Sequence, residues 1–374
     1  MKKILIVITG FHIGGTISSL YSLLSCIDTN KIKVDVFARL HTGPFYKKMP
    51  NCTILQENLW LSHTIYERPW YIKALSILML GIRKTLESIG VNLYAVYNTI
   101  GGRQIHSKDY DAVIGFDETL VNYVSKIPAK RRINWIHCDY RRYANGHDEK
   151  AYYDKIDAVV CVSEFVKGVF TEVYPQYAEK VHAIHNVINV EDILLKSKAE
   201  IDDQRFMTDD YTIVSCGRLD PVKQFSLIPE IAYKLKTVGV KPFKWYIIGG
   251  GNEKEEKKIR EKIEQFNMQD VVVMLGMKTN VYPYLSNSDL YVCTSSSESF
   301  PMVINEAKAL SIPVVSNNFP SAVESVREGI DGLICAVDKM PEVIGRQMHI
   351  PLVIDKNSYQ SENNKIIQQL SALI

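Results

Sequence analysis

Short apolar runs recur along the chain, separated by stretches whose apolar residues repeat at helical spacing, and this alternation restricts the fold more than any other feature. In the first half the runs are Ile4–Thr9, Val34–Ala38, Ala112–Phe116, Ile133–Ile136, Ala158–Val162 and Val181–Ile184. Helical patterns over Thr16–Cys26, Trp70–Ile89 and Glu164–Val173 lie between them. The pattern fades from Asn186 to Asp210, where Lys198–Asp203 is polar, and resumes at Tyr211. A second series follows: Thr212–Cys216, Trp245–Ile248, Val271–Leu275, Leu290–Thr294, Pro313–Ser316 and Leu333–Ala336. Strand and helix in alternation predict parallel, doubly wound sheets. A chain of 374 residues also exceeds what one core usually serves. The expected architecture is therefore α/β, with one Rossmann-like domain over 1–188 and a second over 189–356. Residues 357–374 carry Ile366, Ile367, Leu370 and Leu373 on one helical face and are expected to pack back onto the first domain.

Charge and cysteine usage narrow the function classes. A formal net charge of +2 gives no global attraction to nucleic acid, so none is expected as a partner. The seven cysteines are scattered and form no CxxC pair, which reads as reduced thiols of a cytoplasmic protein. The apolar start Ile4–Ile8 ends in a glycine-rich turn and reads as a first strand rather than a signal peptide. Lys73, Arg83, Lys84 and Glu87 interrupt Ile72–Ile89, so that stretch reads as an amphipathic helix, not a membrane span.

The most informative stretch runs from Ser288 to Leu333. A buried strand ends at Thr294, Ser295–Ser297 break it, and Pro301 suits the first turn of a helix carrying Val303, Ile304, Ala307 and Leu310. Ligands of open α/β sheets settle at the carboxyl ends of strands, where a helix amino terminus offers N–H groups to an anion. Phe300, Met302 and Val303 would supply those groups, leaving Glu298 and Glu306 for hydroxyls; taken alone, both glutamates fit a solvated loop and helix equally well. Arg218 and Lys223 follow the second domain's first strand and could hold a diphosphate from two sides, although such cations are as readily solvated. Gly14 and Gly15 open a helix after the first strand, as an ordinary tight turn also would. His137 lies just past an apolar run, a common place for a structural histidine. Lys126, Lys130, Arg131, Arg132, Arg141 and Arg142 form a basic cluster opposed mainly by Asp139, which could meet an anionic membrane or simply be solvated. Asp202, Asp203, Asp209 and Asp210 fall in the polar linker and are expected to be solvated.

Glu298 to Glu306, with seven residues between them, then Glu306-Ala-Lys-Ala-Leu, Ile312-Pro-Val-Val-Ser316, Glu324-Ser-Val and Gly329-Ile-Asp-Gly-Leu333, resembles in order the second domain of retaining nucleotide-sugar glycosyltransferases of family 4. Gly217-Arg218-Leu with Lys223-Gln-Phe225 is similar to that family's phosphate loop, with Gln224 where a glycine is usual. Thr16-Ile17 stands where many relatives have Ala-Glu. The resemblance implies the GT-B fold, two Rossmann-like domains facing a central cleft, and transfer of a hexose-type sugar from a nucleotide sugar, UDP-linked by preference. It assigns Arg218 and Lys223 to the diphosphate, main-chain groups at Met277 and Lys278 to the base, Glu306 to the ribose, Glu298 to the transferred sugar, and His137 to a sugar contact near the reacting centre. Gly14 and Gly15, with Phe300, Pro301, Met302 and Val303, complete the donor site. No metal or other cofactor is expected. The acceptor would be a saccharide or a lipid-linked saccharide, with the protein at the inner face of the membrane in the latter case. Two rivals are a nucleotide-sugar epimerase of the same architecture and a catalytically idle nucleotide-binding subunit.

Overall fold

The computed structural model describes residues 1–12, 14–56, 85, 109–144, 148–206, 209–349 and 358–374. The amphipathic helix expected over Ile72–Ile89 lies outside them, Thr85 apart. The chain divides into two units, 1–187 with 366–374, and 188–365.

In the first unit the apolar runs become β1 (Lys2–Ile8), β2 (Ile32–Ala38), β3 (Thr53–Ile54), β4 (Ala112–Gly115), β5 (Arg131–Ile136), β6 (Ala158–Cys161) and β7 (Val181–Ala183), with α1 (Gly15–Cys26) after β1 and α2 (Glu164–Val173) after β6. They form a parallel sheet in the order β3-β2-β1-β4-β5-β6-β7. The order reverses between β1 and β4, so the loops after those strands diverge and leave space at their carboxyl ends. Ser163 caps α2 by accepting from the Val166 N–H at 3.1 Å, as its position before the helix predicts.

The second unit repeats the plan. It contains α3 (Val190–Lys196), β8 (Tyr211–Cys216), α4 (Ile228–Thr237), β9 (Phe243–Ile248), α5 (Glu253–Gln265), β10 (Val272–Gly276), β11 (Leu290–Cys293), α6 (Met302–Ala309), β12 (Val314–Asn317), β13 (Gly332–Cys335) and α7 (Met340–His349). The parallel order is β10-β9-β8-β11-β12-β13, with its reversal between β8 and β11. Both faces of β8 are covered: Ile213 packs with Trp245, Ile247 and Val292, while Val214 and Cys216 pack with Tyr246, Ile248 and Cys293. Each such side chain, fully buried, contributes about 1.5–3 kcal/mol. Inside the sheet the Trp245 indole N–H donates to Ser215 Oγ at 3.0 Å, and that hydroxyl donates to the Val292 carbonyl at 2.6 Å, leaving neither polar group unmet.

The last helix, α8 (Ser358–Leu373), starts in the second unit, where Asn363 exchanges hydrogen bonds with the Ile188 backbone at 2.7 and 3.2 Å. It ends in the first, with Ile366 and Leu370 buried.

Candidate functional site

The geometry at the β8/β11 reversal is set by two glycines. Gly217 follows β8 at φ +155° and Gly249 follows β9; a Cβ on Gly249 would lie 1.9 Å from the Gly217 carbonyl oxygen. Only without that carbon do the two loops pass in contact. Asp220 then caps a short 3-10 turn, Pro221–Lys223, by accepting from the Val222 N–H at 3.0 Å. Gln224 ends the turn at φ 53°, a left-handed conformation that glycine adopts without strain, and this explains the usual glycine of the resembling pattern.

The turn is bound to the loop after β11. Thr294 Oγ1 donates to the Lys223 carbonyl at 2.7 Å, and the Ser296 N–H donates to the Val222 carbonyl at 2.8 Å. This brings Lys223 Nζ to 2.6 Å from Glu298 Oε1, an oxygen that also accepts from Ser295 Oγ at 2.6 Å. Ser321 holds the Glu298 carbonyl at 2.6 Å, and Asn317 the Ser295 carbonyl at 2.9 Å. Burial alone would lower the Lys223 pKa, but the Glu298 carboxylate beside it outweighs burial and the net direction is up. Lys223 is therefore a fixed cation with a local counter-charge rather than a free one. Arg218, by contrast, is exposed and makes no ion pair or hydrogen bond with another described residue.

Helix α6 begins at Met302, and Pro301 stands just outside it with ψ 88° rather than in the expected first turn. No side chain caps this end and no acidic residue sits in its first turn, so the opening N–H groups have no helical partner. Phe300 and Met302 pack with Ile188, Ile193 and Tyr282, which fixes how the helix starts; Val303 is half-buried beside them. Three polar side chains of α6 are buried. Asn305 donates to the Pro301 carbonyl at 3.1 Å and to Ser325 Oγ at 3.3 Å, and Lys308 pairs with the fully buried Asp331 at 3.1 Å. Glu306 is less well served. Tyr282 donates to its Oε1 at 3.2 Å and no other side-chain donor reaches its carboxylate among the described residues. Burial pushes its pKa up to about 7 despite the Tyr282 hydrogen bond and Lys196 nearby.

Beyond β10, the Gly276 carbonyl accepts from the Gly249 N–H at 2.9 Å, and Gly250 lies against Met277, which is 73% exposed. The Lys278 ammonium is taken up by Asp202 at 3.2 Å and Asp203 at 3.0 Å. Asp203 is correspondingly not solvated as the linker composition suggested: its side chain is 10% exposed and Arg205 pairs with it at 2.6 Å. One of the partners that overturned that expectation, Lys278, is 75 residues away in sequence.

In the first unit, Gly14 precedes α1 in an extended conformation, and a Cβ on Gly14 or Gly15 would meet nothing within 4 Å. Neither backbone conformation nor packing among the described residues calls for glycine at these positions. His137 is half-buried against Phe116 and Trp135, at 4.8 and 6.1 Å between ring centres. Its Nε2 is shut off from solvent and has no hydrogen-bond partner among the described residues, and burial lowers its pKa to about 3, so the ring is neutral. The His137 backbone N–H donates to Glu118 Oε2 at 3.2 Å. The basic cluster is more neutralised than its sequence implied: Lys130 pairs with Asp111 at 2.7 Å, and Arg141 with Asp139 at 2.9 Å and Glu172 at 3.6 Å.

The structure thus gathers Lys223, Glu298 and Glu306 at or near one end of the second sheet, and adds Ser295 and Tyr282, which sequence reasoning passed over. Among the described residues no three His, Cys, Asp or Glu side chains are grouped as metal ligands, and no helix is long and apolar enough to cross a membrane.

Residues 196–360 match the family described as glycosyl transferases group 1. Over that region the chain is similar to the group 1 glycosyl transferases. Curated relatives include an uncharacterized glycosyltransferase of Methanocaldococcus jannaschii, 27% identical over 45% of this chain and 41% of its own length. Another is the N-acetylgalactosamine-N,N'-diacetylbacillosaminyl-diphospho-undecaprenol 4-alpha-N-acetylgalactosaminyltransferase of Campylobacter jejuni, 29% identical over 50% of this chain and 48% of its own. The chain spans half or less of these relatives' lengths. Among solved structures, HepE of Anabaena in complex with UDP and glucose aligns over 100% of both chains with a TM-score of 0.69 at 15% identity. The lipopolysaccharide outer core galactosyltransferase WaaB aligns over 99% and 98% with a TM-score of 0.67 at 14%. These likenesses show that the fold is of the two-domain Rossmann-like GT-B type.

Proposed function

We propose that the protein is a retaining glycosyltransferase that moves a hexose-type sugar from a UDP-sugar to a saccharide or lipid-linked saccharide in surface-glycan synthesis. The observation that carries this reading is the Lys223–Glu298 pair, held at 2.6 Å beside the uncapped start of α6. A diphosphate leaving group gathers negative charge as the glycosidic bond breaks, and preorganised donors aimed at that charge lower the barrier most. Arg218 supplies a fork of N–H donors, Lys223 a compact charge, and the N–H groups at Met302 and Val303 the dipole of α6. These groups serve the role a divalent metal plays elsewhere, so the reaction is proposed to need none. Glu306 would accept from the ribose hydroxyls, and Glu298, already anchored by Lys223 and Ser295, from hydroxyls of the transferred sugar. Neutral His137, with its Nε2 shut off from solvent, has Nδ1 left for a contact with the sugar. Gly14 and Gly15 leave room for ligand to approach the start of α1.

Attack of the acceptor oxygen on the anomeric carbon from the face the diphosphate leaves, with the bond to the diphosphate breaking and the acceptor's proton passing to it, would retain the anomeric configuration. The diphospho-undecaprenol in the name of the Campylobacter jejuni relative supports a lipid-linked acceptor, and the UDP bound to HepE supports a nucleotide-sugar donor. That acceptor would bring the protein to the inner face of a membrane, where Arg131 and Arg142 are exposed. Incubation with UDP-sugars and a lipid-linked acceptor tests the reading: product with retained configuration supports it. A new sugar formed from donor alone would indicate an epimerase, and binding without turnover an idle subunit.

A further inference from the structure

The side chains of Asp202, Asp203, Arg205 and Lys278 have no part in the proposed transfer chemistry, yet they grip both sides of the loop after β10. On one side the Arg205 guanidinium donates to the carbonyls of Met274 and Leu275 at 3.1 and 3.3 Å. Strand β10 is the edge of its sheet, its register with β9 shifts between Met274 and Gly276, and Arg205 takes the two carbonyls at that irregularity. On the other side Lys278 is held by both carboxylates, and Asp202 is held in turn by the Tyr284 hydroxyl. Asp203 joins the two halves: it accepts from Arg205 Nε at 2.9 Å and Nη2 at 2.6 Å and from Lys278 at 3.0 Å. Arg205 holds its carboxyl well below the usual carboxylate range, so the strap stays charged. Between the two grips lie Gly276, at φ +75°, and the exposed Met277.

We infer that Asp203, through Arg205 and Lys278, is a positioning residue that sets nucleobase selectivity by fixing the backbone of 276–278. The inference rests on the glycosyltransferase reading, with the donor's base at the main chain of Met277 and Lys278 as the resemblance implies. Reading a base edge with main-chain N–H and C=O groups demands a fixed orientation, to within about 0.5 Å and 10–20°. The Gly249 N–H holds the Gly276 carbonyl at 2.9 Å, but a glycine at positive φ followed by an exposed residue does not fix the backbone beyond that point. The strap does, and it does so from outside, leaving the main chain of Met277 and Lys278 to the ligand. The diphosphate site at Arg218 and Lys223 belongs to different loops, so loosening the strap should spare it.

The test measures binding of UDP, GDP and inorganic pyrophosphate by calorimetry to wild type, Asp203→Asn, Arg205→Lys and Lys278→Met, all as full-length protein. The expected result is UDP binding weakened about tenfold in each variant, with the UDP-to-GDP preference narrowed and pyrophosphate affinity within about twofold of wild type. Arg205→Lys keeps the charge but loses the fork, so it should fall with the others. Unchanged UDP-to-GDP preference in all three variants would overturn the inference, as would equal loss of UDP and pyrophosphate, which would make the strap a support for the whole domain. A wild-type protein that binds pyrophosphate but prefers no base would also overturn it. A wild-type protein that binds none of the three would instead overturn the glycosyltransferase reading itself.

Discussion

Replacing Glu306 by glutamine probes a carboxylate of the second unit whose burial is costly. Its pKa of about 7 stands against 4.5 for an unburied glutamate. At about 1.4 kcal/mol per pH decade, keeping the carboxylate ionised inside the fold costs about 3 kcal/mol. Because the native pKa is the higher one, the native state holds the proton more tightly. The contribution of Glu306 to stability is therefore fully present below about pH 4.5 and is lost as the pH rises through about 7. Glutamine carries no such dependence and preserves an acceptor for Tyr282. Urea denaturation of both proteins without ligand is the assay. The stability of E306Q relative to wild type should rise by about 3 kcal/mol between pH ~4 and pH ~8. A difference that stays constant across that range would refute the reasoning. The same variant should bind UDP more weakly at pH ~8, because the carboxylate that accepts from the ribose is gone.

Lys223→Ala and Glu298→Ala should each lower transfer on the order of 100-fold. Because the two side chains are paired at 2.6 Å, the double variant should lose less than the sum, by about 1 kcal/mol or more in a double-mutant cycle; additive losses would mean the pair does not act as a unit. Gly249→Ala should lower stability by about 3 kcal/mol, since its Cβ would sit against the Gly217 carbonyl; a thermal melt at the wild-type midpoint would contradict this. Gly15→Ala should instead leave the fold intact, or stabilise it by about 0.5 kcal/mol, while weakening donor or acceptor binding. Unchanged KM for both substrates in Gly15→Ala would show that the open space there serves no ligand.

The alternating layout was legible because strands such as β8 and β11 are buried on both faces and so appear as unbroken apolar runs. The two-residue β3, Thr53–Ile54, has no period to detect and went unseen. Pro301 was legible as a helix signal but not as to which side of the boundary it occupies, because its ψ is set by the loop from Glu298 and not by its own ring. At the site, Glu298, Glu306, Arg218 and Lys223 could be singled out by residue type and place after a strand. What each one touches could not. The Lys223–Glu298 and Lys278–Asp203 pairs each join residues 75 apart in sequence, and only the parallel order of the sheet brings their loops together. Ser295 and Tyr282 have no distinguishing sequence context, and their importance follows entirely from the carboxylates they hold.

The central claim is that two cations and a helix end grip a pyrophosphate without a metal ion. Titrating UDP into wild type and Arg218→Ala, each with and without EDTA, tests it most directly. Arg218 is exposed and free of partners among the described residues, so its removal should leave the fold unchanged. The prediction is at least about tenfold weaker UDP binding in the variant, with no effect of EDTA on either protein. Equal affinity in the two proteins, or wild-type binding abolished by EDTA, would contradict it.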